Sequence, residues 1–243
     1  MLDSNSDPGM KRNTPPRILM LLQNQVYPHD YRVWREAQAL VRAGYDLSVI
    51  SPNRPGKPWR ERLDGVEVYR YPMPWRGNGL LGYLWEYGYS LAATWVLACF
   101  VFVSRGFDVL HAHNPPDTFV LIAIFFKLVR KKFVYDHHDL APEMYEVRFL
   151  KGTHSLVYRC LLFFENLSCR WADHIIVTNE SYKNIAIERA GVAENRVTIV
   201  RNGPDLELSS GLGDAALRTK ASYLLGYAGC MGVQDGVDYL LPA

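Results

Sequence analysis

Short apolar runs alternate with amphipathic stretches along most of the chain. Arg17-Ile18-Leu19-Met20-Leu21-Leu22 has strand length, and Gln23 to Asp30 reads as a turn. From Tyr31 to Ala43 the apolar residues Val33, Trp34, Ala37, Leu40 and Val41 recur at three- and four-residue spacing, with Arg32, Arg35, Glu36 and Arg42 outside that stripe. Asp30 suits an N-cap and Gly44 a C-terminal cap, so this segment is predicted as a helix. Further strands are expected at Asp46 to Ile50, Val66 to Tyr71, Val109 to Ala112, Lys132 to Asp136, His174 to Thr178 and Val197 to Val200. Between them lie helical patterns over about 80–104, 118–129, 155–171 and 181–190. Strands alternating with helices predict an α/β fold with a doubly wound, Rossmann-like parallel sheet covered on both faces. Ligands in such sheets bind in the crevice beyond the carboxyl ends of the strands.

The pattern also divides the chain. Residues 1–16 form a polar leader, 17–202 the α/β domain, and 203–222, rich in glycine and serine, a linker. A new strand at Tyr223 to Ala228 then runs into Gly229-Cys230-Met231-Gly232 and the first turns of a helix, Gly236 to Leu241. One strand and part of a helix cannot bury a core, so 223–243 reads as the start of an incomplete second domain.

Composition changes this picture little. With 49% hydrophobic and 21% charged residues the 243-residue chain is ordinary globular material, and a formal charge of +2 gives no reason to expect nucleic acid. Arg130-Lys131-Lys132 reads as a solvated helix end. Cys99, Cys160, Cys169 and Cys230 show no CxxC spacing, and the first three fall in apolar helical stretches, as buried thiols of a reducing compartment do. The leader lacks an apolar signal core, which points to the cytoplasm. Leu91 to Val103 is apolar but short of the about 20 residues that span a bilayer, and it is expected as a buried helix.

The chemistry gathers at strand ends. His111 and His113 share one face of a strand that ends in His111-Ala112-His113, and the next strand ends in Asp136-His137-His138-Asp139, with Asp117 and Glu143 close in sequence. Two chemistries fit this rim: His111, His113 and His138 with an aspartate as ligands of a hydrolytic divalent metal, or imidazoles that position a polyhydroxylated or phosphorylated substrate. The first turn lacks GxGxxG, which argues against a dinucleotide fingerprint. The helix start near Asp30 to Arg32 remains a candidate anion site.

Several blocks carry a resemblance: Pro28-His29-Asp30-Tyr31-Arg32-Val33-Trp34-Arg35-Glu36-Ala37, Phe107 to Asp117, Tyr135-Asp136-His137-His138-Asp139-Leu140-Ala141-Pro142-Glu143, Ala172 to Ser181, and Arg201-Asn202-Gly203-Pro204-Asp205. In this order and spacing they resemble bacterial family 4 glycosyltransferases from about Arg17 onward. The resemblance implies a GT-B architecture of two Rossmann-like domains, with the acceptor held mainly by the first. It implies retaining sugar transfer from a nucleotide-sugar co-substrate, without metal or other cofactor, to a glycan or lipid-linked acceptor of envelope polysaccharide or lipopolysaccharide synthesis. By position, His138 is the expected catalytic residue and His137 the second candidate. Arg32, His113, Asp117, Glu143 and Asn202 are expected at the substrate, and Gly229 and Gly232 at the donor diphosphate.

The basic pair and E-x7-E-type motif of the family's second domain do not occur before Ala243, so the chain alone is expected to bind donor poorly and to be inactive. The aromatic region from Trp75 to Phe102 fits either peripheral association at the inner face of the plasma membrane or an ordinary buried helix. A non-catalytic acceptor-binding fragment is the third reading.

Overall fold

The computed structural model describes residues 15–74, 79–149 and 155–203, with Thr219, Gly226 and 237–240 besides. Most of the expected linker and second domain, including Gly229 and Gly232, lies outside the described residues. Eight strands, β1 (Arg17–Leu21), β2 (Asp46–Pro52), β3 (Arg60–Leu63), β4 (Val66–Tyr71), β5 (Val109–His113), β6 (Lys132–His137), β7 (His174–Val177) and β8 (Val197–Ile199), form one sheet in the order β3-β4-β2-β1-β5-β6-β7-β8. Every pairing is parallel except β3 with β4. The helices longer than one turn among the described residues are α1 (Tyr31–Arg42), α2 (Gly79–Ser104), α3 (Val120–Leu128), α4 (Ala141–Phe149), α5 (Leu156–Trp171) and α6 (Glu180–Ala190).

Strand alternation sorts the core into two layers. Ile18, Met20, Leu47, Val49, Val66 and Val68 pack on one face against Val33 and Ala37 of α1. Leu19, Leu21, Ile50, Tyr69 and Tyr71 look the other way, into a core shared with α2, α3, α5 and α6. The sheet is therefore doubly wound as expected, and its strand order reverses direction between β1 and β5. That reversal opens a crevice at the strand ends, with α1 starting beside it.

The ends of α1 follow the sequence. The Asp30 carboxylate accepts from Val33 N at 3.1 Å. Gly44, at φ +86°, lets its own N–H reach Val41 O and the next reach Leu40 O, closing the helix.

Four expectations need correction. Strand β3 lies where only loop was predicted. Its residues Arg60-Glu61-Arg62 lack an apolar alternation because it is an edge strand, where charge guards against further pairing. The Asp64-Gly65 turn, with φ of 48° and 85°, joins it to β4, and a Cβ on Gly65 would come within 2.9 Å of Val41 Cγ1. Helix α4 was likewise not predicted, since it carries no clean apolar stripe. Cys160 is exposed and Cys99 half-buried, leaving Cys169 as the buried thiol among them. On α5, Cys160 sits roughly two and a half turns before Cys169 and so faces the opposite way. Finally, α2 is not a buried helix: it is long and apolar enough to cross a membrane, and only 22% of its apolar window is buried.

Candidate functional site

The register of β5 and β6 sets Ala112 beside Tyr135 and His113 beside Asp136, so the two histidine-bearing strand ends are neighbours as the rim requires. Alternation then splits their side chains between the faces of the sheet.

On the α1 side the centre is Asp136, fully buried. Arg32, from the first turn of α1, forks onto it with Nε donating to Oδ2 and Nη2 to Oδ1, both at 2.9 Å. Its Nη1 donates to Val200 O at 2.9 Å and Asn202 Oδ1 at 2.8 Å, just past β8, and Nη2 also lies 3.1 Å from Glu36 Oε1. A guanidinium has five N–H donors, and four of them are hydrogen-bonded within the chain, with Glu36 close to Nη2 as an ion pair. Arg32 therefore ties α1, β6 and the segment after β8 together. Asn202 is drawn in as its acceptor. At the helix start the chain's own Asp30 carboxylate accepts from Val33 N.

Around Asp136 stand three imidazoles. His113 Nδ1 lies 3.1 Å from Asp136 Oδ2, and His138 Nδ1 3.4 Å from Oδ1. The rings of His111 and His113 are 4.2 Å apart, and those of His113 and His138 6.3 Å. Burial opposes ionisation of Asp136, but hydrogen bonding to His113 and His138 outweighs it and holds the carboxyl well below its usual range. Burial also acts against a charged His138, yet contact with Asp136 prevails and raises its pKa. For His113 burial wins and the pKa falls; His111 is lowered further, by burial and then by His113.

Glu36, one turn after Arg32, lies 3.8 Å from His113 Nδ1 and 4.0 Å from His111 Nε2. Burial, then the charge of Asp136, lifts its carboxyl to about 9. One carboxylate is thus ionised and its neighbour holds a proton at neutral pH. The two Glu36 oxygens, with His111 Nε2 and His113 Nε2, are buried and have no hydrogen-bond partner among the described residues. Of the three imidazoles His138 is the most exposed, with 14% of its side chain open against 6% for His111 and 0% for His113. Its backbone N–H and that of Asp139 donate to Asn114 Oδ1 at 2.9 and 3.1 Å, which fixes the loop carrying it.

Glu36, His111, His113 and Asp136 also offer ligand atoms within 4.8 Å of one another, so by spacing they could hold a metal ion. This set differs from the expected one, since Glu36 takes the place of His138. The guanidinium forked onto Asp136 places a fixed positive charge against it.

The other face holds His137, Asp117 and Glu143. His137 is fully buried, stacked on Tyr135 at 5.3 Å, with Nε2 3.4 Å from Glu165 Oε2. Arg189 of α6 donates to Glu165 at 2.7 Å and pairs with Glu143 at the start of α4. Burial pushes Glu165 up, but His137 and Arg189 prevail and hold it low. Asp117 accepts from the Tyr135 hydroxyl and, at 3.2 Å, from Asn114 Nδ2. Burial raises its pKa against the Tyr135 hydrogen bond. The six expected site residues of the strand-end blocks and α1 thus fall into two groups: Arg32, His113 and His138 around Asp136, and His137, Asp117 and Glu143 behind the sheet.

Glu36, Asn114, Glu165 and Arg189 escaped the sequence reading. For Glu36 a signal existed, its position one helical turn after Arg32 on a helix that starts at a strand end.

Comparison with known proteins agrees with this architecture. Among solved structures, the chain is similar to sucrose-phosphate synthase from Thermosynechococcus elongatus, with a TM-score of 0.62 at 14% identity, over 85% of this chain and 53% of that one. It is also similar to the catalytic domain of starch synthase IV from Arabidopsis thaliana, bound to ADP and acarbose, with a TM-score of 0.54 at 12% identity over 80% and 53%. A third likeness is to LpCGTa in complex with UDP, with a TM-score of 0.54 at 12% identity over 81% and 55%. The chain thus spans about half the length of these structures, and its sheet corresponds to the Rossmann-like fold of GT-B glycosyltransferases. The glycosyl transferase 4-like domain matches residues 30–203, from the cap of α1 to just past β8. The chain belongs to the glycosyl transferase 4-like domain family.

Proposed function

We propose that this chain is the acceptor-side part of a retaining glycosyltransferase that moves a sugar from a nucleotide-sugar to a glycan or lipid-linked acceptor of envelope polysaccharide or lipopolysaccharide, at the cytoplasmic face of the membrane. The observation that carries the reading is the placement of His138, at the carboxyl end of β6 beside the switch point, seated on an ionised Asp136 and open to the crevice. An imidazole whose Nδ1 is held by a carboxylate presents Nε2 outward in a fixed orientation, suited to donate to a sugar hydroxyl or a developing negative charge. His113 and Asn114 support it from β5. Gly229 and Gly232 are assigned to the donor diphosphate on resemblance.

Because the chain alone is expected to be inactive, the test is a transfer assay on the chain joined to a donor-binding domain, with a panel of nucleotide-sugars and envelope lipid extracts, reading anomeric configuration by NMR. A product of inverted configuration would sink the retaining assignment, and hydrolysis of the donor without transfer, by a protein carrying stoichiometric zinc or manganese, would sink the transferase. That second outcome is what the Glu36, His111, His113 and Asp136 spacing favours, and elemental analysis of the purified protein decides it.

A further inference from the structure

Helix α2 presents to solvent a face that a water-soluble surface does not maintain. Leu84, Gly88, Ala92, Val96, Phe100 and Val103 follow one another at helical spacing, all exposed, with Leu84 at 61%, Val96 at 67% and Val103 at 85%. Glu86 is the only charged residue between 79 and 104. A helix apolar all round belongs in a core or in lipid. Here its opposite face, with Ser90, Thr94, Ala98 and Val101, is buried against the sheet. Crossing a bilayer would strip that face from the core, so the helix is fixed in the plane of the domain surface.

The patch continues on both sides. The exposed ring of Trp59 packs on Phe100 at 5.9 Å, and Phe125 of α3 packs on Trp95 at 5.5 Å, with Leu128 and Val129 exposed beyond it. Outside each apolar flank lie exposed bases: Arg54 and Lys57 in the loop leading to Trp59, and after α3 Arg130 and Lys132, the latter 71% exposed with its Nζ 3.5 Å from Asp173. This symmetry selects the occupant. A second copy docking by a two-fold axis would bring bases against bases, whichever flank met which. Anionic headgroups meet both flanks favourably while the stripe enters the acyl boundary.

We propose that the α2 face docks flat on an anionic lipid bilayer, with Leu84, Val96 and Val103 inserted and Arg54, Lys57, Arg130 and Lys132 at the headgroups. The docking needs no sugar donor, so its failure leaves the transfer reading standing.

Flotation of the purified chain with phosphatidylglycerol vesicles, compared with phosphatidylcholine vesicles, tests this. The wild type floats on the anionic vesicles and far less on the neutral ones. The double substitution Val96→Glu with Val103→Glu, at positions exposed enough to leave the fold and its circular dichroism unchanged, lowers partitioning at least about tenfold. Arg130→Glu with Lys132→Glu reduces binding to anionic vesicles while sparing the residual binding to neutral ones. Absence of wild-type flotation on phosphatidylglycerol overturns the proposal, as does undiminished flotation of the Val96 and Val103 variant. So does a dimer in sedimentation velocity that this variant dissolves in a protein that binds no vesicle.

Discussion

Two polar clusters lie back to back across β5 and β6, built from alternate residues of the same short segments. Asp136 and His113 point toward α1, while Tyr135 and His137 point toward α5. Behind the sheet, Glu143, Glu165, Arg189 and His137 join three helices to the end of a strand, and His137 has no exposed surface. In front, Arg32 forks onto Asp136, which is ionised, Glu36 holds a proton, and His138 is the most exposed of the three imidazoles. Similar residue types thus serve as a framework on one face and as a poised site on the other. Surroundings make the difference: the rear is sealed by helices, whereas the front opens at the switch point where α1 begins.

The largest expected effect comes from removing the hub of the front cluster. Arg32→Ala leaves Asp136 buried without its guanidinium, and breaking a buried pair in this way costs about 3–5 kcal/mol. Urea unfolding should show that loss, with Arg32→Lys recovering only part of it, because an ammonium cannot fork onto two carboxylate oxygens. A loss under about 1 kcal/mol would show that the pair is not the anchor of this face.

Next in size is the separation of the adjacent histidines, read in the chain joined to a donor-binding domain. His138→Ala should lower transfer about a hundredfold or more, the scale of losing a positioned proton donor, while shifting unfolding by under about 1 kcal/mol. His137→Ala should do the reverse, costing about 2–3 kcal/mol for an emptied buried site and leaving turnover per folded molecule nearly intact. Should His137→Ala abolish turnover in a protein as stable as the wild type, the division between the faces fails.

That division marks where sequence reading stopped. The α1 boundaries were legible because Asp30 and Gly44 act through their own backbone neighbours. The adjacency of β5 and β6 stayed a condition in the sequence, because an alternating pattern orders strands along the chain and not across the sheet. His137 and His138, both assigned to chemistry, fall on opposite faces, because an adjacent pair diverges where the strand ends, and the helices that seal one side come from elsewhere in the chain. Glu36 was missed since its significance depends on a carboxylate about a hundred residues away. Strand β3 carried an Asp-Gly hairpin signal that its charged edge residues masked. For α2, an apolar pattern alone does not say whether a domain or something outside it covers the helix.

Glu36→Gln probes the shared proton. Glu36 has a folded pKa of about 9 against an ordinary value near 4.5, so the folded state retains a proton that the unfolded chain has released. The sign follows: stability is greatest below the unfolded value and declines as pH rises through the window from 4.5 to 9. Glutamine, neutral throughout, should leave stability near pH 4 unchanged and raise it at pH 7–8 by about 1–3 kcal/mol. Parallel pH profiles for the two proteins would contradict the protonated state.

The smallest effect tests whether the front cluster depends on how α1 is aimed. Asp30 accepts from Val33 N, in the same turn that supplies Arg32. Removing this cap with Asp30→Ala should cost about 1 kcal/mol, whereas Asp30→Ser, which still caps, should cost only a few tenths. Asp30 also adds, as one of the weaker contributions after burial, to the raised pKa of Glu36, so both variants should lower that value slightly. The two substitutions separate cap from charge: a stability loss confined to alanine marks the cap, and a Glu36 shift common to both marks the charge. The His137 and Glu165 pair lies on the far side of the sheet and should be unaffected, which NMR of the imidazole resonances can follow. A shift at His137 as large as that at His138 would mean that the faces communicate through the strands and that the clusters are one site.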